Sequence, residues 1–229
     1  MQPDIQMTSQ STQVADSTHK VLRNTYMMLG LTMIPTVIGA MIGISMNFSF
    51  MAQSPIIGML LMLAVMFGLF WGISKNRDSG VGVALLLALT FFMGIMLGPI
   101  LQVALHLKNG AELVGMAAGG TGIIFFALAG YATVTKKDFS FLGNFLFVGL
   151  ILLVIASLAN MFFHVPAASL AISAVSILIF SGYILYDVSR IINGGETNYI
   201  MATLALYLDI YNIFVNLLSL LMALTGDRD

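Results

Sequence analysis

The sequence predicts an all-α, polytopic membrane protein built as a bundle of seven transmembrane helices, and three observations carry that reading. Of the 229 residues, 59% are hydrophobic and only 8% are charged, more apolar surface than a soluble domain of this length could cover. A window of about 19 residues finds seven apolar runs, each with roughly the 20 residues that cross a hydrocarbon core about 30 Å thick. The nine Lys and Arg residues also segregate. Lys20, Arg23, Lys75, Arg77, Lys136, Lys137 and Arg190 fall on one side of the spans, Lys108 and Arg228 on the other. An odd number of spans is needed for that, and the positive-inside bias puts the N-terminus in the cytoplasm and the C-terminus outside.

Residues 1–23 read as a polar cytoplasmic tail. Met1 to Lys20 is rich in Ser, Thr, Gln and Asp and cannot offset the ordering entropy of a packed element by burial. It is not a cleavable signal peptide, because the apolar run begins only near Tyr26, after a long polar stretch. Residues 24–225 form the transmembrane domain. Its spans run Tyr26 to Met46, Pro55 to Ser74, Val81 to Leu107, Leu113 to Val134, Phe141 to Phe163, Ala167 to Ser189 and Tyr199 to Leu224, and residues 226–229 are a short C-terminal tail. Links as short as His164-Val165-Pro166 make neighbouring spans antiparallel. Pro35 in the first span and Gly98-Pro99 in the third predict kinks. Gly39 with Gly43, Gly94 with Gly98, and Gly115 with Gly119 predict faces where helix backbones approach closely.

Function is expected where charge lies inside the bilayer. Asp187 and Asp209 each sit within a spanning run, and a carboxylate there costs at least a few kcal/mol unless it has a partner. Ser169, Ser173, Ser176, Tyr183 and Asp187 share one face of the sixth span; Asp209, Asn212, Asn216 and Ser219 share one face of the seventh. Two such stripes on successive antiparallel helices face each other rather than lipid. Counted from the turn between them, Asp187 is roughly 9 Å deep and Asp209 roughly 15 Å, an offset that side chains can bridge. Two carboxyls in a dry seam share one proton near neutral pH and latch the helices; losing it pushes them apart and presents oxygens to a cation. This is a pH-sensing ion pathway of Asp187, Asp209 and Asn212, with Arg190, one turn beyond Asp187, offering a competing ion pair.

Other chemistries fit less well. A net charge of -1 leaves no basic patch for nucleic acid, and the absence of cysteine removes disulfides, thiolate metal sites and thiol nucleophiles. Asp187 and Asp209 with a few further oxygens fall short of the 6 to 8 ligands of a tight calcium site, so calcium would be held weakly or in transit. Tyr186-Asp187 fits the first half of an intramembrane aspartyl protease, but Leu206-Tyr207-Leu208-Asp209 lacks the glycines of the second. His106 and His164 lie at span ends with no Gly-x-Ser-x-Gly nucleophile. No catalytic residue and no cofactor are expected.

Four segments carry a family resemblance: Ser17-Thr18-His19-Lys20-Val21-Leu22-Arg23-Asn24-Thr25-Tyr26, Leu97-Gly98-Pro99-Ile100-Leu101, Lys136-Lys137-Asp138-Phe139-Ser140-Phe141-Leu142-Gly143, and Gly194-Gly195-Glu196-Thr197-Asn198-Tyr199-Ile200. With them the chain resembles the Bax inhibitor-1 family, in its bacterial branch, nearly end to end. The resemblance implies six helices around a central C-terminal seventh. It implies an inner-membrane protein that binds and modulates an FtsH-type membrane AAA protease, engaged through the tail Met1 to Lys20. Other members are pH-sensitive calcium leaks whose paired acids match Asp187 and Asp209. Leak-type members also carry an arginine after a Phe-Trp pair in the second span; here Phe70-Trp71 is followed by Gly72-Ile73, with Lys75 and Arg77 beyond.

Overall fold

The computed structural model describes residues 3–48 and 54–225; Met1, Gln2 and the C-terminal tail 226–229 with Arg228 lie outside the described residues. Every regular element among the described residues is an α-helix: α1 (Pro3–Ser45), α2 (Pro55–Lys75), α3 (Gly80–Met96), α4 (Gly98–Leu105), α5 (Gly110–Thr135), α6 (Leu142–Phe163), α7 (Pro166–Ile192) and α8 (Tyr199–Thr225). Six stretches are long and apolar enough to cross a membrane: Thr18–Ser45, Gly80–Leu105 (α3 continued by α4), α5, α6, α7 and α8. The second expected span is α2, an apolar helix of 21 residues.

Local chemistry sets most boundaries. The third span breaks at Leu97 because Pro99, in the first turn of α4, has no N–H to continue the ladder. Pro35, by contrast, lies inside an uninterrupted α1. That helix already begins at Pro3, so the polar segment extends the first span's helix instead of standing apart from it. Adding turns to an existing helix avoids the nucleation cost, which makes even Ser- and Thr-rich sequence helical there. Lys136 and His164 end α5 and α6 in the left-handed conformation, with φ of 51° and 52°. Asn198 starts α8: its Oδ1 accepts the N–H groups of Ile200 and Met201, each at 3.0 Å.

Helix α8 is the hub. It packs against every other helix except α6, and Leu204, Leu206, Tyr207 and Ile213 along it are almost fully buried. Among the described residues α6 packs only against α7, through Leu146, Leu153 and Ile179. The α1–α3 crossing is the closest in the bundle's fabric. A Cβ at Gly39 would strike the Phe91 carbonyl, one at Gly94 the Thr36 carbonyl, and one at Gly98 the Gly43 carbonyl. The expectation for these two glycine pairs holds. Gly115 and Gly119 depart from it: a Cβ at either meets nothing within 4 Å, because that face of α5 is turned away from the other helices.

The two ends of the bundle are tied separately. At the end that carries Lys20, Lys75, Lys136 and Arg190, Asn198 Nδ2 donates to the Arg77 carbonyl (2.9 Å) and to Asp78 (2.7 Å), and Phe139 N–H donates to Ser189 Oγ (2.9 Å). Asp138 accepts the Ser140 N–H at 2.8 Å there, which holds its exposed carboxyl below the ordinary carboxylate value. At the opposite end Gln102 Nε2 donates to the carbonyls of Ile44 (2.8 Å) and Met46 (2.9 Å), capping the end of α1, and Asn109 Nδ2 donates to the Thr225 carbonyl (2.9 Å).

Candidate functional site: an aspartate pair between α7 and α8

Helices α7 and α8 run antiparallel from the Asn193 turn, and each carries one acid on the facing side. The Asp187 and Asp209 carboxyls lie within hydrogen-bonding range of each other. Asp209 is only 4% exposed, and its Oδ2 is sealed from solvent without a donor among the described residues. A contact between two carboxyls becomes a hydrogen bond only when one of them carries a proton. The sequence reading expected the two acids to meet, and the fold places them side by side. Tyr183 lies one helical turn before Asp187 on the same face of α7.

The surrounding residues sort differently from their sequence pattern. Arg190 lies near Asp187, but its guanidinium donates to the Gly195 carbonyl (3.2 Å), pairs with Glu196 (3.9 Å) and stacks 5.6 Å from the centre of the Tyr186 ring. The loop built by Gly194, at φ 76°, curls back so that Glu196 reaches that arginine. Asn212, expected in the pathway, donates its amide to the Leu208 carbonyl of its own helix at 2.8 Å. Asn216 and Ser219 do the same one and two turns further on. Ser173 and Ser176 are buried in the bundle, whereas Ser169 accepts a hydrogen bond from Asn160 of α6 at 2.7 Å. The two bases at the end of α2 have partners of their own: Lys75 sits over Trp71, 4.9 Å from its ring centre, and Arg77 pairs with Asp78 at 3.8 Å in an exposed position.

A second polar cluster was not anticipated. Thr36 on α1 and Tyr207 on α8 share a hydrogen bond of 2.9 Å, and both hydroxyls reach the Thr90 carbonyl of α3 at 3.3 Å. Tyr211, one turn on, donates to the Met93 carbonyl at 3.3 Å. The signal available was hydroxyl residues at matching depth in the first, third and seventh spans, which is weak because Thr and Tyr also satisfy themselves locally. Among the described residues no three His, Asp or Glu side chains converge to hold a metal ion. Of the tail Met1 to Lys20, Met1 and Gln2 and the side chains before Thr18 lie outside the described part, and His19 and Lys20 are exposed.

Residues 18–226 match the model of the family described as "Inhibitor of apoptosis-promoting Bax1". The chain belongs to this Bax inhibitor family. As a member, it is 46% identical over 205 residues to the Escherichia coli K12 protein named "Modulator of FtsH protease YccA", covering 90% of each chain. The same relationship holds to an Escherichia coli protein named "Inner membrane protein YccA". It is also 44% identical over 204 residues to a membrane protein of Vibrio cholerae, covering 89% of each chain.

Proposed function

We propose that this protein is an integral inner-membrane partner of an FtsH-type AAA protease, which it binds and modulates in membrane-protein quality control without catalytic activity of its own. The observation that carries this is 46% identity across 90% of both chains to a protein named as modulator of that protease. The basic end faces the cytoplasm in this reading, so the polar segment Met1 to Lys20 is on the side where an AAA ring works and serves as the segment the protease engages. Deleting Met1 to Lys20 should lengthen the protein's half-life in cells that contain the protease and abolish co-purification with it. An unchanged half-life together with undiminished co-purification would remove the tail from this role.

A second activity rests on a separate observation, the hydrogen-bonded acids and the sealed Asp209 Oδ2. In this reading the shared proton latches α7 to α8. Raising pH removes it, the two charges repel, and the parted seam passes calcium on the carboxylate oxygens. Calcium uptake by proteoliposomes should therefore increase from pH 6 to pH 8. The Asp187→Asn, Asp209→Asn double variant, which keeps an amide-to-carbonyl bond at any pH, should take up calcium at one low rate. Uptake that depends on pH equally in both proteins would put the sensor elsewhere.

A further inference from the structure

Helices α1 and α5 both pack on α8 and meet each other through side chains near one end, where the Tyr26 and Phe125 rings stand edge to face at 6.1 Å; the gap between them is an apolar cleft of about 840 Å³. Its floor is α8, at Tyr207, Ile210 and Phe214. From Tyr26 to Ile44 along α1 it runs about 27 Å, close to the full hydrocarbon thickness. Val37, Met41 and Phe126 on its walls are more than half exposed, so it opens sideways toward the bilayer.

The two ends of the cleft differ. The far end is closed by Ile44, Leu101 and Val114, all hydrocarbon. Most hydroxyls along the cleft are occupied within the protein: Thr36 with Tyr207, Tyr211 with Met93, and Thr121 with the Ala117 carbonyl at 2.7 Å. The exception is at the basic end, where the buried Tyr26 hydroxyl makes no well-formed hydrogen bond among the described residues and has only the Thr133 side chain beside it. Arg23 lies one turn before Tyr26, and eighteen residues, about five turns, before the cleft-lining Met41, so it emerges on the same side of α1. Lys136 ends α5 two residues beyond the lining Val134. Both bases are exposed, and among the described residues neither makes an ion pair within 4.0 Å.

A long hydrocarbon slot with two unpaired cations at one mouth has the shape and charge of an anionic amphiphile. A partner helix would answer the hydrocarbon walls but not the two cations gathered at one mouth, whereas an anionic headgroup answers both. We propose that the cleft holds an anionic phospholipid of the leaflet at the basic end, with an acyl chain along α8 and the phosphate between Arg23 and Lys136.

Titrating the full-length protein in detergent with phosphatidylglycerol and, separately, phosphatidylcholine of the same chains, read by native mass spectrometry, tests this. The wild type should retain the anionic lipid in preference. Arg23→Gln with Lys136→Asn should weaken that retention on the order of tenfold or more, and Arg23→Lys with Lys136→Arg should restore it. Asn tolerates the left-handed conformation at 136, and circular dichroism of each variant keeps misfolding apart from lost binding. Gly122→Leu, in a position open enough for a side chain, should exclude both lipids. Equal retention of the two lipids, or undiminished phosphatidylglycerol in the neutralised variant, would overturn the proposal. So would a Gly122→Leu protein that keeps its lipid while losing a protein partner, which would assign the cleft to a helix instead.

Discussion

Two seams of the same bundle are joined by opposite means. At the α1–α3 crossing, glycines let backbone touch backbone, and nothing in the contact can change its charge. At the α7–α8 seam the central contact is between two carboxyls, one of them almost fully buried. In the reading proposed above that contact depends on a shared proton, so the first seam is set by shape alone and the second would respond to pH.

The largest expected effect comes from breaking the seam set by shape. Gly94→Val drives a side chain into the Thr36 backbone, and because that backbone cannot swing aside, about 3 kcal/mol or more of stability should be lost, read as a lower melting temperature or as failure to accumulate in membranes. A variant that melts like wild type would mean that the crossing is looser than the glycines imply. The intermediate effect belongs to the acid seam. Asp209→Ala removes the partner of Asp187 and should cost about 1 to 3 kcal/mol at pH 6, where the proton is shared, and less at pH 8. Equal losses at both pH values would make the pair a plain polar contact. The smallest effect is the control for the first: Gly119→Ala meets open space and should leave stability unchanged or raise it by at most about 1 kcal/mol, through helix propensity.

That control also marks how far the sequence could be read. Three glycine pairs had the same spacing, and two of them mark a crossing while Gly115 and Gly119 face outward. Spacing records that a helix can come close; it does not name a neighbour. The aspartates were legible because a carboxylate in an apolar span has few ways to be satisfied, and the depth arithmetic needed only helical rise. Arg190 and Asn212 have further partners that proximity in sequence did not show. Arg190 lies near Asp187 and also pairs with Glu196, which the left-handed Gly194 turn brings round, and the Asn212 amide donates to a carbonyl of its own helix. The α1–α5 cleft and the Thr36–Tyr207 contact depend on which helices are adjacent, and hydrophobic runs carry no adjacency. The polar first segment was judged by what it could bury, whereas its backbone follows the helix already started beside it.

Among the described residues helix α6 leans on α7 alone. If the acid pair on α7 parts as proposed, α6 is the helix free to follow it, carrying Phe145 and Leu152, which share one exposed face two turns apart. Whatever rests against that face would then feel the acidity of a spot it never touches.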